Sequence, residues 1–418
     1  MRKIYKTYKF RIYPNKTQEI LLNKTFGCTR FVFNRMLAER KETYEKLKDD
    51  KVALKSHKYT TEKQYKKEFE WLSEVDSIAI QQARVDLETA YKNFFDSISG
   101  KRKGRKVSYP KFKSKRETRQ SFRTINVNNN IDIVFENKRI KLPKLKWLRY
   151  SDDRTFEGII KNVTVKKTST GKYFACILVE ETIETKIHQV SSQSKCVGLD
   201  YDSKNLFTDN ENKVSGYPRF YRKYEKKLAK ESRRLTRKAK GSKNRNKQRI
   251  KVARVHEKIV NSRKDFHQKL STHLVESYDV IGIETLNMQA MSQCLNLAKS
   301  TLDNSWGSFT NMLEYKCDWY GKHLVFADKY YASSKMCNVC GYKNVELTLS
   351  DREWNCPICG THHLRDQNAG INLMNFAKEK LEISNAVSTV GTTGIYASGE
   401  CLAQATSLKE ESSAFRQG

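Results

Sequence analysis

Cys196-Val-Gly-Leu-Asp-Tyr is a short apolar run that ends in an acid, Asp200. Val280-Ile-Gly-Ile-Glu-Thr-Leu-Asn repeats the pattern with Glu284, and in Leu364-Arg-Asp-Gln-Asn-Ala-Gly a third acid, Asp366, opens a helical stretch. Apolar runs of this length read as buried strands, so two strands and one helix start each deliver a carboxylate. Phosphodiester hydrolysis needs an acidified water and a neutralised leaving oxygen, and two Mg²⁺ ions roughly 3.5–4 Å apart supply both. Mg²⁺ takes hard oxygen ligands, so gathered carboxylates are the expected donors. In that arrangement Asp200 bridges both ions while Glu284 and Asp366 each bind one. Any one of these acids alone reads equally well as a turn or helix-cap residue. Their combination points to a nuclease.

The charge agrees with a nucleic-acid partner. The 418 residues carry 80 Lys+Arg against 47 Asp+Glu, a formal net charge of +33, with an isoelectric point near 9.7. Such self-repulsion is relieved by a polyanion. The length exceeds what one core usually serves, so two or three domains are expected. No stretch approaches the roughly 20 consecutive apolar residues of a membrane span, and Met1-Arg-Lys-Ile-Tyr-Lys lacks the apolar segment of a secretory signal. A cytoplasmic protein without a membrane partner is the expectation.

Cys337-x-x-Cys340 and Cys356-x-x-Cys359 are two close pairs separated by fifteen residues. Zn²⁺ takes four thiolates in a tetrahedron, and such closed sites are structural. One structural zinc is therefore expected, and a redox role would need only one pair. His362 and His363 read as surface or phosphate contacts, because four thiols already satisfy the ion. Cys28, Cys176, Cys196, Cys294, Cys317 and Cys401 are scattered without spacing, which fits a reducing compartment.

Residues 4–13 alternate apolar and basic side chains and stop at Pro14-Asn15, a strand ended by a turn. Residues 17–95 change to helical spacing, first with Ile20, Leu21, Phe26, Val32 and Met36, then with Ile78, Ala79, Val85, Leu87, Tyr91 and Phe94. β-type signals return over 122–181, which reads as a β-barrel-like domain completed by the first strand. Residues 187–195 are a polar linker. Beyond it come a strand at 205–208, a basic helical pair over 219–278 broken near Gly241-Ser242, and a strand in His323-Leu-Val-Phe-Ala. A final helix over 368–381 follows, and then a tail of disordered composition.

Basic residues mix with aromatics in Lys101-Arg-Lys-Gly-Arg-Lys and Tyr109-Pro-Lys-Phe-Lys-Ser-Lys-Arg, which suits phosphates and bases together. Tyr109, Lys111 and Lys113 are the candidate contacts there. Between 219 and 258 the only acids are Glu225, Glu231 and Glu257. Pairing cannot neutralise that run, so it reads as a phosphate-binding surface with Arg233 and Arg234 as candidates. The aromatics beside these basic residues, including Phe122, Phe220, Tyr221 and Tyr224, either stack bases or fill cores.

The order of strand acid, strand acid and helix-start acid, with the four-cysteine module between the last two, resembles the TnpB family. These are transposon-encoded RNA-guided DNA endonucleases related to the compact type V CRISPR effectors. The likeness spans nearly everything from Tyr8 to about Lys380. It includes Phe10-Arg-Ile-Tyr-Pro, Gln81-Gln82, Ala90-Tyr-Lys-Asn-Phe-Phe, Tyr109-Pro-Lys-Phe-Lys-Ser-Lys, Gly198-Leu-Asp, Ile283-Glu-Thr-Leu-Asn-Met, Ser333-Ser-Lys-Met-Cys and Arg365-Asp-Gln-Asn-Ala. The family usually has Gly where Asp202 stands and Asp where Leu364 stands; neither position is one of its three metal ligands.

The resemblance implies an α+β multidomain chain. A β-barrel wedge domain is expected over 1–14 and 106–190, with a helical recognition domain inserted at 15–105. An RNase H-like (RuvC) nuclease domain is expected over 195–334 and 361–382, interrupted by a zinc ribbon at 335–360, and a disordered tail over 383–418. It further implies a Mg²⁺-dependent endodeoxyribonuclease with two Mg²⁺ ions on Asp200, Glu284 and Asp366. One protein would bind one guide RNA from the transposon end, and would cut double-stranded target DNA beside a short target-adjacent motif. Glutamine can read adenine in a major groove, so Gln81 and Gln82 are candidate readers, and Arg365 a further nucleic-acid contact. The alternatives are an RNA-guided DNA-binding regulator that does not cut, and a transposase acting directly on element ends.

Overall fold

The computed structural model describes residues 1–389 apart from 103, 185, 295, 296 and 349. Residues 390–418 of the expected tail, including Cys401, lie outside the described residues, as does the side chain of Cys294. The chain divides into two compact units, Met1–Ile183 and Glu184–Gly418.

In the first unit, strands β1 (Arg2–Tyr13), β2 (Gln120–Ile125), β3 (Asp132–Val134), β4 (Arg139–Leu142), β5 (Lys146–Ser151), β6 (Ile159–Lys167) and β7 (Tyr173–Ile183) form one antiparallel sheet. Its order is β2-β6-β7-β1-β5-β4-β3. β1 therefore lies in the middle, paired with β7 from Arg2↔Ile183 to Ile12↔Tyr173 and with β5 from Arg11↔Ser151 to Tyr13↔Arg149. Strand alternation explains this, because Phe10 and Ile12 point inward with Tyr173, Ala175, Ile177 and Val179 of β7. The end strands β2 and β3 are not paired with each other among the described residues, yet one core takes Phe122 from β2 and packs Ile133 of β3 against itself. The sheet curls around that core.

Helices α1 (Lys16–Leu47), α2 (Lys51–Ser56), α3 (Glu62–Glu68) and α4 (Ser77–Ile98) fill the span between β1 and β2. Asn15 starts α1 through a capping box, accepting from Gln18 N at 2.8 Å while Gln18 Oε1 accepts from Asn15 N at 3.0 Å. The buried faces of α1 and α4 meet at Val32, Phe33, Met36, Leu37, Ile80, Ala83 and Leu87. Ile20, expected on this face, is exposed. Leu22, Phe26 and Ala79 belong to the core of the sheet, so the boundary expected at 105/106 runs through one compact unit.

The second unit is built on β8 (Cys196–Asp202), β9 (Leu206–Asp209), β10 (Val280–Glu284) and β11 (His323–Ala327), in the order β11-β10-β8-β9. β8, β10 and β11 are parallel, whereas β9 turns back antiparallel on β8. Parallel strands are covered on both faces, which is why both apolar runs are nearly continuous. Val197, Leu199, Ile281 and Ile283 face a core that also contains Leu274 and Val275 of α6 (after α5, Phe220–Thr236; α6 itself is Lys243–Ser277). Two short helices, α7 (Met288–Cys294) and α8 (Ala298–Asn304), have no counterpart in the sequence expectation. They precede α9 (Trp306–Tyr320), which adds Phe309 and Leu313 to that core. Between α5 and α6 lie Leu228, Val255 and Ile259, with Phe220, Tyr221 and Tyr224 packed against them, so these aromatics serve the core.

The cysteine module follows β11 and contains the hairpin β12 (Glu353–Asn355) and β13 (His362–Leu364). α10 (Arg365–Thr389) then crosses the remaining face of the sheet. It runs past 382, where the nuclease domain was expected to end. Small or apolar residues at Ala369, Leu373 and Ala377, all fully buried, carry its inner face.

Candidate active site

Alternation along β8 places Gly198, Asp200 and Asp202 on one face of the sheet, and along β10 it places Gly282 and Glu284 on the same face. In the parallel register Gly282 pairs with Gly198 and Ile283 with Leu199, so the next positions, Glu284 and Asp200, stand side by side at the strand ends. The two glycines let α10 lie directly on the strands. A Cβ on Gly198 would meet Gly370 O at 1.9 Å, and one on Gly282 would meet Leu373 O at 2.3 Å. Asp366 is four residues before Gly370, hence on the same face of α10 one turn nearer its start. Seating the helix on the glycines thus delivers Asp366 to the other two acids. The Gly-x-Asp, Gly-x-Glu and Asp-x-x-x-Gly spacings encode this in the sequence.

Asp200 is buried, and burial, followed by the Glu284 and Asp366 charges, pushes its carboxyl well above the usual carboxylate range. Glu284 is also raised, first by burial and further by Asp366, while the Ser333 hydroxyl that donates to its Oε1 works the other way. Asp366 is held by Arg365, whose Nε donates to Oδ1 at 3.0 Å and whose Nη2 lies 2.9 Å from it; Arg352 Nη1 is 3.6 Å from Oδ2. Asp200 and Glu284, both raised by burial, are held as a charged pair only with a cation beside them. The donor set of carboxylate oxygens suits a hard divalent ion.

Asp202 shares the face but not the task. Its Oδ1 accepts from Lys204 N and its Oδ2 from Asn205 Nδ2, both at 2.7 Å, so it holds the turn between β8 and β9. Leu364 pairs with Glu353 in the ribbon hairpin.

The sulfurs of Cys337, Cys340, Cys356 and Cys359 all lie within 4.8 Å of one another, with 3.6 Å between Cys337 and Cys359 and 3.5 Å between Cys340 and Cys356. A tetrahedron with Zn–S near 2.3 Å has edges of about 3.8 Å, so the residues fit zinc. Each Cys-x-x-Cys is followed by a glycine in the left-handed region, Gly341 at φ 75° and Gly360 at φ 71°. The glycine N–H donates back to Cys337 O at 3.0 Å and Cys356 O at 2.9 Å, closing two like knuckles. His363 was expected at the surface, but it is buried, its ring centroid 4.7 Å from that of Trp354 and its Nε2 3.1 Å from Cys337 Sγ. β-hairpin alternation turns it inward opposite Trp354, while His362 points out and meets Asn355 Oδ1 at 2.8 Å.

The candidate nucleic-acid residues divide. Gln81 is exposed on α4, but Gln82 is buried on its inner face beside Ala79 and Ala83, so its amide is not offered to a groove. Lys111 is exposed. Tyr109 hydrogen-bonds Tyr91 at 2.7 Å and meets Phe94 edge-on, while Lys113 exchanges two backbone bonds with the Asn34 side chain, at 2.9 and 2.8 Å. Both have structural work to do. Arg233 and Arg234 are exposed on α5, the latter 3.2 Å from Glu231, and Arg365 sits at the acids.

The fold and site together describe a protein in which a four-cysteine ribbon separates the strand acids from the helix acid they meet. Residues 175–295 match a family model described as "Probable transposase", residues 306–373 one described as "Cas12f1-like, TNB domain", and residues 1–49 one described as "Helix-turn-helix domain". That last stretch here forms a strand and a helix, β1 and α1. A Streptomyces pristinaespiralis protein named "Putative RNA-guided DNA endonuclease" is 34% identical over 377 residues, covering 90% of this chain and 90% of its own. InsQ of Escherichia coli K12, given the same description, is 33% identical over 382 residues, covering 88% and 91%. A solved Cas12f1–sgRNA–target DNA complex aligns over 89% of this chain and 99% of its own at 13% identity, with a TM-score of 0.49. The chain belongs to the TnpB family.

Proposed function

We propose that this protein is an RNA-guided DNA endonuclease that hydrolyses phosphodiester bonds at Asp200, Glu284 and Asp366. The observation that carries the reading is the seating of α10 on Gly198 and Gly282, which brings Asp366 to the buried Asp200 and its strand neighbour Glu284. With no cation bound, holding Asp200 and Glu284 side by side costs stability. Two Mg²⁺ ions would supply an acidified water and neutralise the leaving oxygen. Asp200, Glu284 and Asp366 would hold these ions.

Arg365 and Arg352 hold Asp366 in place and set positive charge beside the acids, where a phosphate oxygen would gain from it. The basic faces of α5 and α6 would follow a phosphate backbone. The guide would be RNA from the transposon end, one per protein, and the target double-stranded DNA beside a short motif read by protein, with Gln81 the exposed candidate on α4. In RNA-guided effectors base pairing reads the rest. The four cysteines would hold one structural zinc.

A transposase acting directly on element ends draws on the description of the family model matched by residues 175–295. Cleavage of a matched target by the RNA-bound protein, and its loss when the RNA is removed, is the outcome that favours the guided enzyme. Retention of all three acids weighs against a regulator that only binds.

A further inference from the structure

The Ser333-Ser-Lys-Met-Cys stretch leads from β11 to the first zinc cysteine. Ser333 is 2% exposed and its hydroxyl donates to Glu284 Oε1. Its carbonyl accepts from Asn372 Nδ2 at 2.8 Å, and the same amide group reaches Met336 O at 2.7 Å. One turn earlier on α10, Asn368 Nδ2 donates to Met336 O at 2.7 Å and Asn368 Oδ1 accepts from Asn338 N at 3.1 Å. Tyr331 OH donates to Asn372 O at 3.2 Å. Asn368 and Asn372 are both buried, and buried amides are tolerated where they are paired. Here most of that pairing goes to one segment, 331–338, which α10 grips along its length. The helix that carries Asp366 thereby fixes the chain that delivers a hydroxyl to Glu284 and a thiol to the ribbon.

A carboxylate with one oxygen engaged by a fixed donor presents the other in a set direction. Donors of this kind behind a metal ligand govern how well it binds. We propose that Ser333 is a positioning residue that orients Glu284 toward a divalent metal, and that segment 331–338 makes this orientation depend on the folded zinc ribbon. The proposal rests on the reading of Glu284 as a metal ligand. A serine that merely satisfied a buried carboxylate would affect stability and leave metal affinity alone.

The test titrates Mn²⁺, a spin-active stand-in for Mg²⁺, into the zinc-loaded full chain and follows it by electron paramagnetic resonance. Ser333→Ala should weaken Mn²⁺ binding by about 10- to 100-fold while zinc content stays at the wild-type level. Ser333→Thr, which keeps the hydroxyl, should recover most of the affinity. Cys356→Ser, which opens the ribbon, should also weaken Mn²⁺ binding. If Glu284→Gln weakens binding but Ser333→Ala matches the wild type, the positioning role is overturned and the ligand reading stands. If neither variant changes binding, the ligand reading falls and takes the proposal with it. Should Ser333→Ala melt early, Ser333→Thr decides: folded protein with wild-type affinity supports the role, and folded protein with weak binding overturns it. Unchanged Mn²⁺ affinity in Cys356→Ser protein that has lost its zinc would overturn the dependence on the ribbon.

Discussion

Gly198 and Gly370 approach so closely that a side-chain carbon on Gly198 would stand 1.9 Å from the Gly370 carbonyl oxygen. No real Cβ tolerates that distance, and the obstacle is helix backbone that cannot swing aside. Gly198→Ala should therefore lift α10 from the sheet. The expected cost is at least roughly 1–3 kcal/mol, the usual penalty of overpacking, read as a lowered melting temperature together with loss of divalent-metal binding. Gly307→Ala on α9, where an added Cβ meets nothing within 4 Å, is the control and should be neutral or slightly stabilising.

Removing a ligand should separate chemistry from recognition. Asp200→Ala, Glu284→Ala and Asp366→Ala are each expected to abolish cleavage in Mg²⁺ while guided DNA binding stays nearly intact, because the acids act on the reacting phosphate and not on the heteroduplex. Gel assays of cutting and of binding on the same preparations check this. A variant that cuts at the wild-type rate does not carry a ligand at that position.

The raised carboxyls give a pH dependence of definite sign. Burial and neighbouring charge lift Asp200 and Glu284 above their ordinary values of 3.8 and 4.5. In the metal-free protein the folded state then holds more protons than the unfolded one as pH rises through and above that range. Stability falls with rising pH across this window, and the penalty is complete once both folded values are passed. Metal relieves it by displacing those protons. Mg²⁺ should raise the melting temperature more at pH 8 than at pH 5.5, and calorimetry in buffers of different ionisation enthalpy should register proton release. Stabilisation by Mg²⁺ that is equal at both pH values contradicts this.

Zinc is expected at one per chain by elemental analysis. Cys337→Ser or Cys356→Ser should release it and unfold the ribbon, since binding energy at such sites is folding energy. Ribbon amides in the zinc-free protein should lose protection from hydrogen exchange. Full protection without zinc would remove the metal from the account.

The acids and cysteines were legible because their chemistry is written in local spacing: an acid at the end of an apolar run, two thiols three residues apart. The parts that failed depend on which way a side chain faces in three dimensions. Gln82 and Gln81 are neighbours, yet a helix rotates about 100° per residue and buries one of them. His363 looked like a surface residue until the pairing Trp354↔His363 turned it inward. Asp202 shares a strand face with Asp200, and only in three dimensions do its bonds to Lys204 N and Asn205 Nδ2 tie it to the turn between β8 and β9. The short helices α7 and α8 carry too few periodic apolar residues to announce themselves. The middle position of β1 was foreseen only as participation in the sheet, because a partner some 170 residues away leaves no local mark.

The central claim is that a guide RNA directs the cut. A protein carrying this much positive charge attracts loose RNA, and such binding weakens steeply with salt. A structured guide held by shape and single-strand contacts should persist. The decisive measurement is to purify the protein through a high-salt wash, sequence the RNA that remains, replace the sequence at its 3′ end and map cleavage of matched DNA. The account predicts one discrete RNA species and a cut that moves to the newly matched target. Heterogeneous RNA, with stripped protein cutting the original DNA equally well, would contradict it and favour a transposase that reads element ends directly.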